Sequence, residues 1–187
     1  TQLMKLIAPT NRESIFDKHH NNRYVKKFSG WQHFTVLFIA QIKGLKSLRD
    51  IVTTISTHSN RHYHMGLKSL SRSTLSDANN KRSAEAFKGL FEHLLQRCNS
   101  IAPKHRFRFK SPMYSMDSST ISLCLSVFPW AKFRSKKGGI KLHTVLNHSG
   151  TLPEFVEITS ASKHDSTQSR ILCSKLPKGS VVAFDKG

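Results

Sequence analysis

Two aspartates lie in strand-like segments of this chain. Asp117 is within residues 113–120, and Asp185 ends the apolar run 180–185. Acidic residues are scarce, with 11 Asp and Glu against 30 Lys and Arg, and a carboxylate among apolar neighbours carries a desolvation cost unless something binds it. Each Asp alone could simply end its strand, because Asp is common where strands break. Together, they suggest a site in which two carboxylates share a divalent cation.

The chain is strongly basic, with a formal net charge of +19 and a pI near 10.3. Both halves carry the charge, which favours a phosphate backbone through Coulomb attraction and counterion release. Membrane surfaces or acidic proteins could use the same charge, but the basic residues are not confined to a tail. The longest apolar run, residues 36–40, is far shorter than a membrane span. We therefore expect a nucleic-acid partner and no membrane.

The three cysteines, Cys98, Cys124 and Cys173, are widely spaced, and no pair has the two-residue separation of zinc sites or redox motifs. We expect buried free thiols in a reducing compartment. The first residues also lack the apolar segment and cleavage site of a secretion signal. Both observations favour an intracellular location.

Helical patterns occupy the first half of the chain. Apolar residues at three- and four-residue steps predict a helix over residues 31–42. Ser47 and Asp50 have the spacing of a capping box, which predicts a second helix to about residue 55. A short helix over residues 71–80, capped by Ser73 or Thr74, and a longer one over 83–98 follow. The sequence predicts a linker over residues 99–112 and a helical DNA-binding domain over residues 1–104.

Strand patterns dominate the second half, residues 105–187. Alternating residues predict a strand at 113–120 and a hairpin of strands 140–146 and 152–159, followed by a helix over 164–176 and a last strand ending at Asp185. A right-handed crossover would place that last strand parallel to an earlier one. Three antiparallel strands with a fourth beside the first form the opening half of a ribonuclease H-like fold. The fold class is therefore α+β, and Asp117 and Asp185 would face each other.

That arrangement predicts chemistry on phosphodiesters. Mg²⁺ is a hard ion that prefers carboxylate and water oxygens. Two such ions, about 3.5–4 Å apart, can activate a water or sugar hydroxyl and stabilise the leaving oxygen in phosphoryl transfer. This chemistry suits a chain that binds DNA.

Several linked motifs resemble the DDE transposases of insertion sequence family four. In the second half they are residues 114–126 (YSMDSSTISLCLS), 128–134 (FPWAKFR), 139–143 (GIKLH) and 182–187 (VAFDKG). In the helical half they are residues 24–28 (YVKKF), 47–51 (SLRDI) and 71–79 (SRSTLSDAN). The resemblance covers most of the chain, and motifs in this order are more specific than any one of them.

The resemblance implies a cut-and-paste enzyme that binds the inverted-repeat ends of its element, hydrolyses one strand and uses the freed 3′-hydroxyl for strand transfer into target DNA. A DNA hairpin intermediate is common in this group. Asp117 matches the first catalytic acid and Asp185 the second. The third acid is a Glu in a downstream Tyr, Arg, Glu, Lys signature, before which this sequence stops. We therefore expect a fragment that is inactive alone.

The resemblance also implies cofactors and partners. The complete enzyme would hold two Mg²⁺ ions, with Mn²⁺ as an alternative, and would act as a dimer on double-stranded DNA. Its place would be the bacterial cytoplasm, in association with the nucleoid.

Two groups of residues are candidate DNA contacts. The first surrounds the glycines 138 and 139, beside Trp130 and Phe133, where basic and aromatic residues alternate as they do in phosphate-binding and base-stacking sites: Lys132, Arg134, Lys136, Lys137 and Lys141. A solvated hairpin loop with a buried Trp is the alternative. The second group lies on the helix over residues 71–80 and just after it: Arg72, Ser73, Thr74, Asn79, Lys81 and Arg82.

That helix could enter a major groove as the second helix of a helix-turn-helix, although the loop before it is longer than usual. An ordinary capped helix on a basic surface fits the pattern as well. His143 and Asp165 could each support the metal site from behind its ligands. We favour simpler roles, a hydrogen-bonded histidine on a strand for His143 and a helix cap for Asp165.

Two other functions fit the sequence. One is a non-catalytic DNA-binding protein, or a truncated inhibitor that occupies element ends. The other is a different ribonuclease H-like nuclease, which would leave the helical first half unexplained.

Overall fold

The computed structural model describes residues 12–58, 60, 63–101, 103, 110–123, 132–134, 137–163 and 165–185. The chain forms two compact units, Thr1–Leu94 and Leu95–Gly187. The first is helical in its described residues, and the second contains a mixed β-sheet. The predicted domain boundary after residue 104 stays a prediction.

In the described residues, five helices form within or begin in the first unit, together with a 3₁₀ turn at Tyr63–Met65. They are α1 (Arg12–Lys18), α2 (Gly30–Ile42), α3 (Leu48–Thr57), α4 (Arg72–Lys81) and α5 (Glu85–Ile101), the last of which continues into the second unit. The four helices predicted from the sequence therefore correspond to α2 to α5, with ends shifted by up to three residues.

Serine hydroxyls begin three of these helices. The Ser29 hydroxyl accepts from the Gln32 N–H and the Gln32 side chain accepts from the Ser29 N–H, a capping box that the sequence analysis missed. At α3, Ser47 accepts from the Asp50 N–H as predicted. The α4 cap is Ser71, whose hydroxyl accepts from the Thr74 N–H. The prediction of Ser73 or Thr74 was wrong because both already lie inside the helix.

Two apolar clusters hold the first unit together. One joins α2, α3, α4 and the loop before α4 through Val36, Ala40, Ile51, Ile55, Leu67, Leu70 and Leu75. The other joins α1, α2 and α5 through Phe16, Trp31, Ala86 and Leu90. Because α2 contributes to both clusters, it is the central helix of this unit.

His33 of α2 is buried among aromatic rings, with 2% of its surface exposed. Its Nε2 lies 2.7 Å from Oδ1 of Asn79 on α4, so the ring ties the two helices together. Nδ1 is buried and has no hydrogen-bond partner among the described residues. Burial, with a smaller contribution from the charge of Arg82, lowers the pKa of His33, although the Asn79 hydrogen bond opposes this. The structure therefore favours the neutral ring.

We expect acid to destabilise the first unit through His33. Its pKa is lowered in the folded state, so below the ordinary value of about 6.5 the unfolded chain binds the extra proton more readily and stability falls with pH. Urea unfolding from pH 7.5 to 5 measures this loss. His33→Gln, which can keep a donor toward Asn79 without titrating, should show a shallower pH dependence. Identical slopes for the two proteins would contradict the assignment.

The sheet of the second unit contains five strands: β1 (Met113–Leu123), β2 (Lys132–Arg134), β3 (Lys137–Asn147), β4 (Leu152–Ser160) and β5 (Val181–Phe184). β3 pairs antiparallel with β1, β2 and β4, and β5 pairs parallel with β1. Helix α6 (Asp165–Ser174) connects β4 to β5. The predicted hairpin, helix and parallel return are confirmed, and the mixed sheet fits the opening half of a ribonuclease H-like fold in part.

The two faces of this sheet differ. Tyr114, Met116 and Val145 pack against Leu172 of α6 on one face. Neighbouring residues along each strand point to the other face. On that face, Val181 is 51% exposed and Ile158 is 63% exposed. Asp117 follows Met116 directly and therefore lies on the second, more exposed face.

Three further findings differ from or extend the sequence analysis. The short strand β2 was not predicted, because three residues carry too little periodicity. Cys98 is exposed rather than buried, since it lies near the exposed end of α5. Cys124 lies outside the described residues.

No helix in the described ranges is long and apolar enough to cross a membrane.

Candidate functional site

Asp117 lies on β1, and Asp185 directly follows the last residue of β5, the strand that pairs with β1. The parallel register pairs Ser115 with Ala183 and Met116 with Phe184, and each aspartate is the next residue along the chain, Asp117 still on β1 and Asp185 just after β5. Continuation of this register places the two aspartates side by side, and strands in a sheet are separated by about 4.8 Å. Residues paired in register also share a face of the sheet, so both carboxylates lie on the more exposed face.

Both aspartates are solvent-exposed. Oδ1 of Asp117 accepts a hydrogen bond from the N–H of the next residue, Ser118, at 2.8 Å, which fixes the orientation of that carboxylate. Across the sheet, Asp117 pairs with Thr144 of β3. The two carboxylates can thus offer oxygen ligands to a cation that approaches from solvent. In the described part of the chain, no group of three or more His, Cys, Asp or Glu residues is placed to hold a metal.

His143 lies on the opposite face of the sheet. It pairs with Ser118, one residue from Asp117, and alternation along the strand turns its ring toward the α6 side. The ring is buried, and Nε2 lies 2.9 Å from the Thr159 hydroxyl. The structure thus places His143 away from the carboxylates, as the predicted hydrogen-bonded strand His. Asp165 is the first residue of α6, and its side chain lies outside the part of the chain that the structure describes, so its capping role stays a prediction.

The first group of predicted DNA contacts lies on β2 and β3. Lys132 and Arg134 pair with Gly138 and Lys137 in a short antiparallel ladder. The side chain of Lys141 is half-buried, and its Nζ donates to the Lys163 carbonyl at 3.3 Å. The structure does not describe two residues of this region, Trp130 and Lys136. It also does not describe the side chains of Lys132, Phe133, Arg134 and Lys137. Their role in DNA binding stays a prediction.

The second group lies on α4, and the structure divides it. Arg72 and Ser73 line a cleft of about 790 Å³ between the first turns of α3 and α4. The other residues that line the cleft are Ser47, Leu48, Arg49, Asp50, Ser76 and Asp77. Thr74 and Lys81 are exposed on the same helix, and Lys81 lies 3.8 Å from Asp77. The first two turns of α4, which line the cleft, are therefore open to a large ligand.

Asn79 and Arg82 instead have partners inside the unit. Asn79 binds His33, as described above, and the Arg82 guanidinium donates to the carbonyls of Phe28 and Ser29. The guanidinium carbon also lies 5.1 Å from the centre of the Phe28 ring. Burial lowers the pKa of Arg82. These two side chains fix α4 to α2 and to the segment before it, and their DNA contacts stay predictions.

The structure also reveals exposed residues that the sequence analysis did not name as DNA contacts. Arg49 lines the cleft opposite Arg72. Arg23 and Tyr24 are exposed in the loop between α1 and α2, with the guanidinium of Arg23 over the tyrosine ring. The sequence carried one signal for the latter pair, an aromatic residue within the basic run 23–27.

Comparisons with known proteins match both halves of the chain to described families. Residues 108–187 match the family described as "Transposase DDE domain", and residues 1–68 match a family described as "Domain of unknown function (DUF4372)". A protein of Geobacillus stearothermophilus, "Probable transposase for insertion sequence element IS5377", is 28% identical over 100 residues. That match covers 54% of this chain and 26% of the relative, so the chain spans about a quarter of the relative's length in the match. No solved structure matches the chain significantly.

The class of protein follows from the second unit. Its residues match the transposase DDE domain, and the parallel pairing of β1 with β5 falls within the matched range. Together, the two family matches and the Geobacillus relative support a DDE transposase of an insertion-sequence family, which confirms the predicted resemblance at that level. Its assignment to family four stays a prediction.

Proposed function

We propose that this chain is part of a transposase that binds the inverted-repeat ends of its element and carries out metal-dependent strand cleavage and transfer. The observation that supports the proposal is the parallel pairing of β1 with β5, because its register, continued by one residue, would set Asp117 beside Asp185. Two adjacent carboxylates repel each other unless a cation binds between them. A site of this kind is suited to phosphoryl transfer.

The two carboxylates fit a divalent metal, and DDE transposase domains generally use one. Asp117 and Asp185 would hold the ion through their exposed oxygens, which is the ligand type that Mg²⁺ prefers. When bound, such ions activate the attacking oxygen and stabilise the leaving one. We expect two Mg²⁺ ions in the complete enzyme, with Mn²⁺ able to replace them. The chain itself orients the Asp117 carboxylate through the Ser118 N–H.

The partner that we propose is double-stranded DNA, both the element ends and the target, with the protein as a dimer on it. The net charge of +19 supplies a sequence-independent attraction to phosphates. In the first unit, the cleft between α3 and α4 presents Arg49 and Arg72 beside serine hydroxyls. Arginine and hydroxyl side chains are common contacts to DNA phosphates and base edges.

We expect Arg72→Gln to weaken DNA binding by about one phosphate contact. The exposed guanidinium begins α4 and lines the cleft, so its loss should lower the slope of log K against log salt by roughly one. Fluorescence anisotropy with an end-sequence duplex at several salt concentrations measures this slope. Lys175→Gln is the control, because it removes the same charge from an ion pair with Glu157 at 2.9 Å. Equal slopes for both variants would contradict a contact at Arg72.

These 187 residues alone are expected to bind DNA without cleaving it. Asp117 and Asp185 would supply two carboxylates, and the described residues contain no group of three or more His, Cys, Asp or Glu that could hold a metal. The same observation favours a second candidate function, a non-catalytic chain that occupies element ends and inhibits the complete enzyme. Incubation of the chain with end DNA and Mg²⁺ tests the point: cleavage would contradict the proposed inactivity, and inhibition of the complete enzyme would support the second function.

A further inference from the structure

The loop between α1 and α2, residues 19–29, presents an unusually exposed aromatic ring. The side chain of Tyr24 is 88% exposed, and its backbone has a φ of 59°. Arg23, Lys26 and Lys27 are exposed around it, whereas Val25 is half-buried. Five consecutive residues thus expose three cations and one aromatic ring, without an acid among them.

The loop is fixed in place by side chains at both of its ends. Asn21, which is buried, donates to the Ser83 carbonyl at 3.1 Å and accepts from the Ser83 N–H at 3.0 Å. Asn22 donates to Asp17 at 2.6 Å and accepts from the Gly30 N–H at 2.6 Å. At the other end, Arg82 holds the carbonyls of Phe28 and Ser29. A loop braced in this way presents its exposed residues without a large ordering cost on binding.

Arg23 and Tyr24 form a pair within the loop. The guanidinium carbon of Arg23 lies 5.1 Å from the ring centre of Tyr24, and Nη2 donates to the tyrosine hydroxyl at 3.4 Å. An aromatic ring beside cations is the combination that proteins use to stack an unpaired base while neutralising the adjacent phosphates. An exposed tyrosine could also anchor a protein interface. The three cations, and a chain that is basic overall, favour nucleic acid.

We propose that this loop is a contact site for unpaired nucleotides, in which Tyr24 stacks on a base and Arg23, Lys26 and Lys27 bind the phosphates beside it. The proposal rests on the proposed function, because strand cleavage at an element end creates or requires locally unpaired DNA. It also assigns a role to the segment that matches a family of unknown function.

The test compares a blunt duplex with the same duplex carrying one unpaired 2-aminopurine. The 187-residue chain should bind the second DNA more tightly and quench its fluorescence. Tyr24→Ala should lose roughly 5- to 100-fold in affinity for the unpaired site, the range that stacking on one ring supplies, and should lose the quenching. Tyr24→Phe should retain both. Circular dichroism checks that each variant is folded, which is expected because the side chain is exposed.

Tyr63→Ala is the matched control, because Tyr63 is also exposed and its ring lies against the His64 ring rather than against a cation-bearing loop like that of Tyr24. It should leave the preference for unpaired DNA unchanged. Two results would overturn the inference: Tyr24→Ala quenches the fluorescence as strongly as the wild type, or the wild-type chain binds both DNAs equally well. In either case the proposed DNA-binding function would still stand, because the chain still binds DNA. If the wild-type chain bound neither DNA, the proposed function would be contradicted together with this inference. If the chain bound polyglutamate more tightly than either DNA, and Tyr24→Ala lost that binding, the loop would be a contact site for an acidic protein. That result would also overturn the inference.

Discussion

Asp117→Asn and Asp185→Asn, each made in the complete transposase, are expected to abolish strand cleavage. Both substitutions preserve size but remove the negative charge that would hold a cation between β1 and β5. Loss of a single group that stabilises charge in a transition state lowers kcat by on the order of 10²–10³-fold, and a lost metal ligand should cost at least as much. Cleavage of labelled end DNA with Mg²⁺ measures the effect, while gel-shift assays should show salt-sensitive DNA binding unchanged.

The matched control for these substitutions is Glu154→Gln. Glu154 is an exposed acid on β4 whose carboxylate accepts from Asn147, so its loss removes an equal charge from the same sheet. Cleavage should persist in this variant. If either aspartate variant cleaved end DNA at the rate of the Glu154→Gln protein, the assignment of the metal site would be wrong.

The second large effect is expected at the first residue of α2. A Cβ at Gly30 would lie 2.7, 2.8 and 2.9 Å from three atoms of Phe16, distances that real side chains do not adopt. Phe16 has 0% of its surface exposed and packs with Trp31, Ala86 and Leu90, so it cannot move aside freely. Gly30→Ala should therefore reduce the free energy of unfolding by about 1–3 kcal/mol or more through overpacking. Urea unfolding of the chain measures the change.

Helix propensity alone predicts the opposite sign, since Ala is favoured over Gly by up to about 1 kcal/mol inside a helix. Gly89→Ala in α5 separates the two effects. A Cβ at Gly89 would lie 3.3 Å from Nε2 of His19, the far end of a flexible side chain that can shift. This variant should be neutral or slightly more stable than the wild type. Equal stability of both variants would show that Phe16 does not constrain Gly30.

Much of the fold could be predicted because its elements are long enough to show a period. The α2 segment repeats apolar residues at helical spacing, and β3 and β4 alternate around the turn after Asn147. The capping prediction failed at α4 because four of the first five residues from Ser71 are Ser, Thr or Arg, and several hydroxyls fit the same role. Only the backbone conformation selects Ser71.

The parallel pairing of β5 with β1 was predictable from topology, because a crossover helix between strands of this kind returns the chain parallel to β1. The roles of Asn79 and Arg82 were not. Both are polar residues at the end of a basic helix, a pattern that indicates solvent or DNA contact. Their actual partners, His33 and the Phe28 and Ser29 carbonyls, are separated from them by about half of the unit's sequence and depend on how the helices pack. Sequence periodicity contains no information on such contacts.

Mn²⁺ binding tests the central claim, that Asp117 and Asp185 hold a cation jointly, most directly. Water-proton relaxation of the protein with Mn²⁺ should be compared for the wild type, Asp117→Asn, Asp185→Asn and the double variant, with Glu154→Gln as the control. One shared site predicts that each single variant loses as much binding as the double variant, because neither carboxylate holds the ion alone. Unchanged binding in the single variants, or losses that simply add in the double variant, would contradict a shared site.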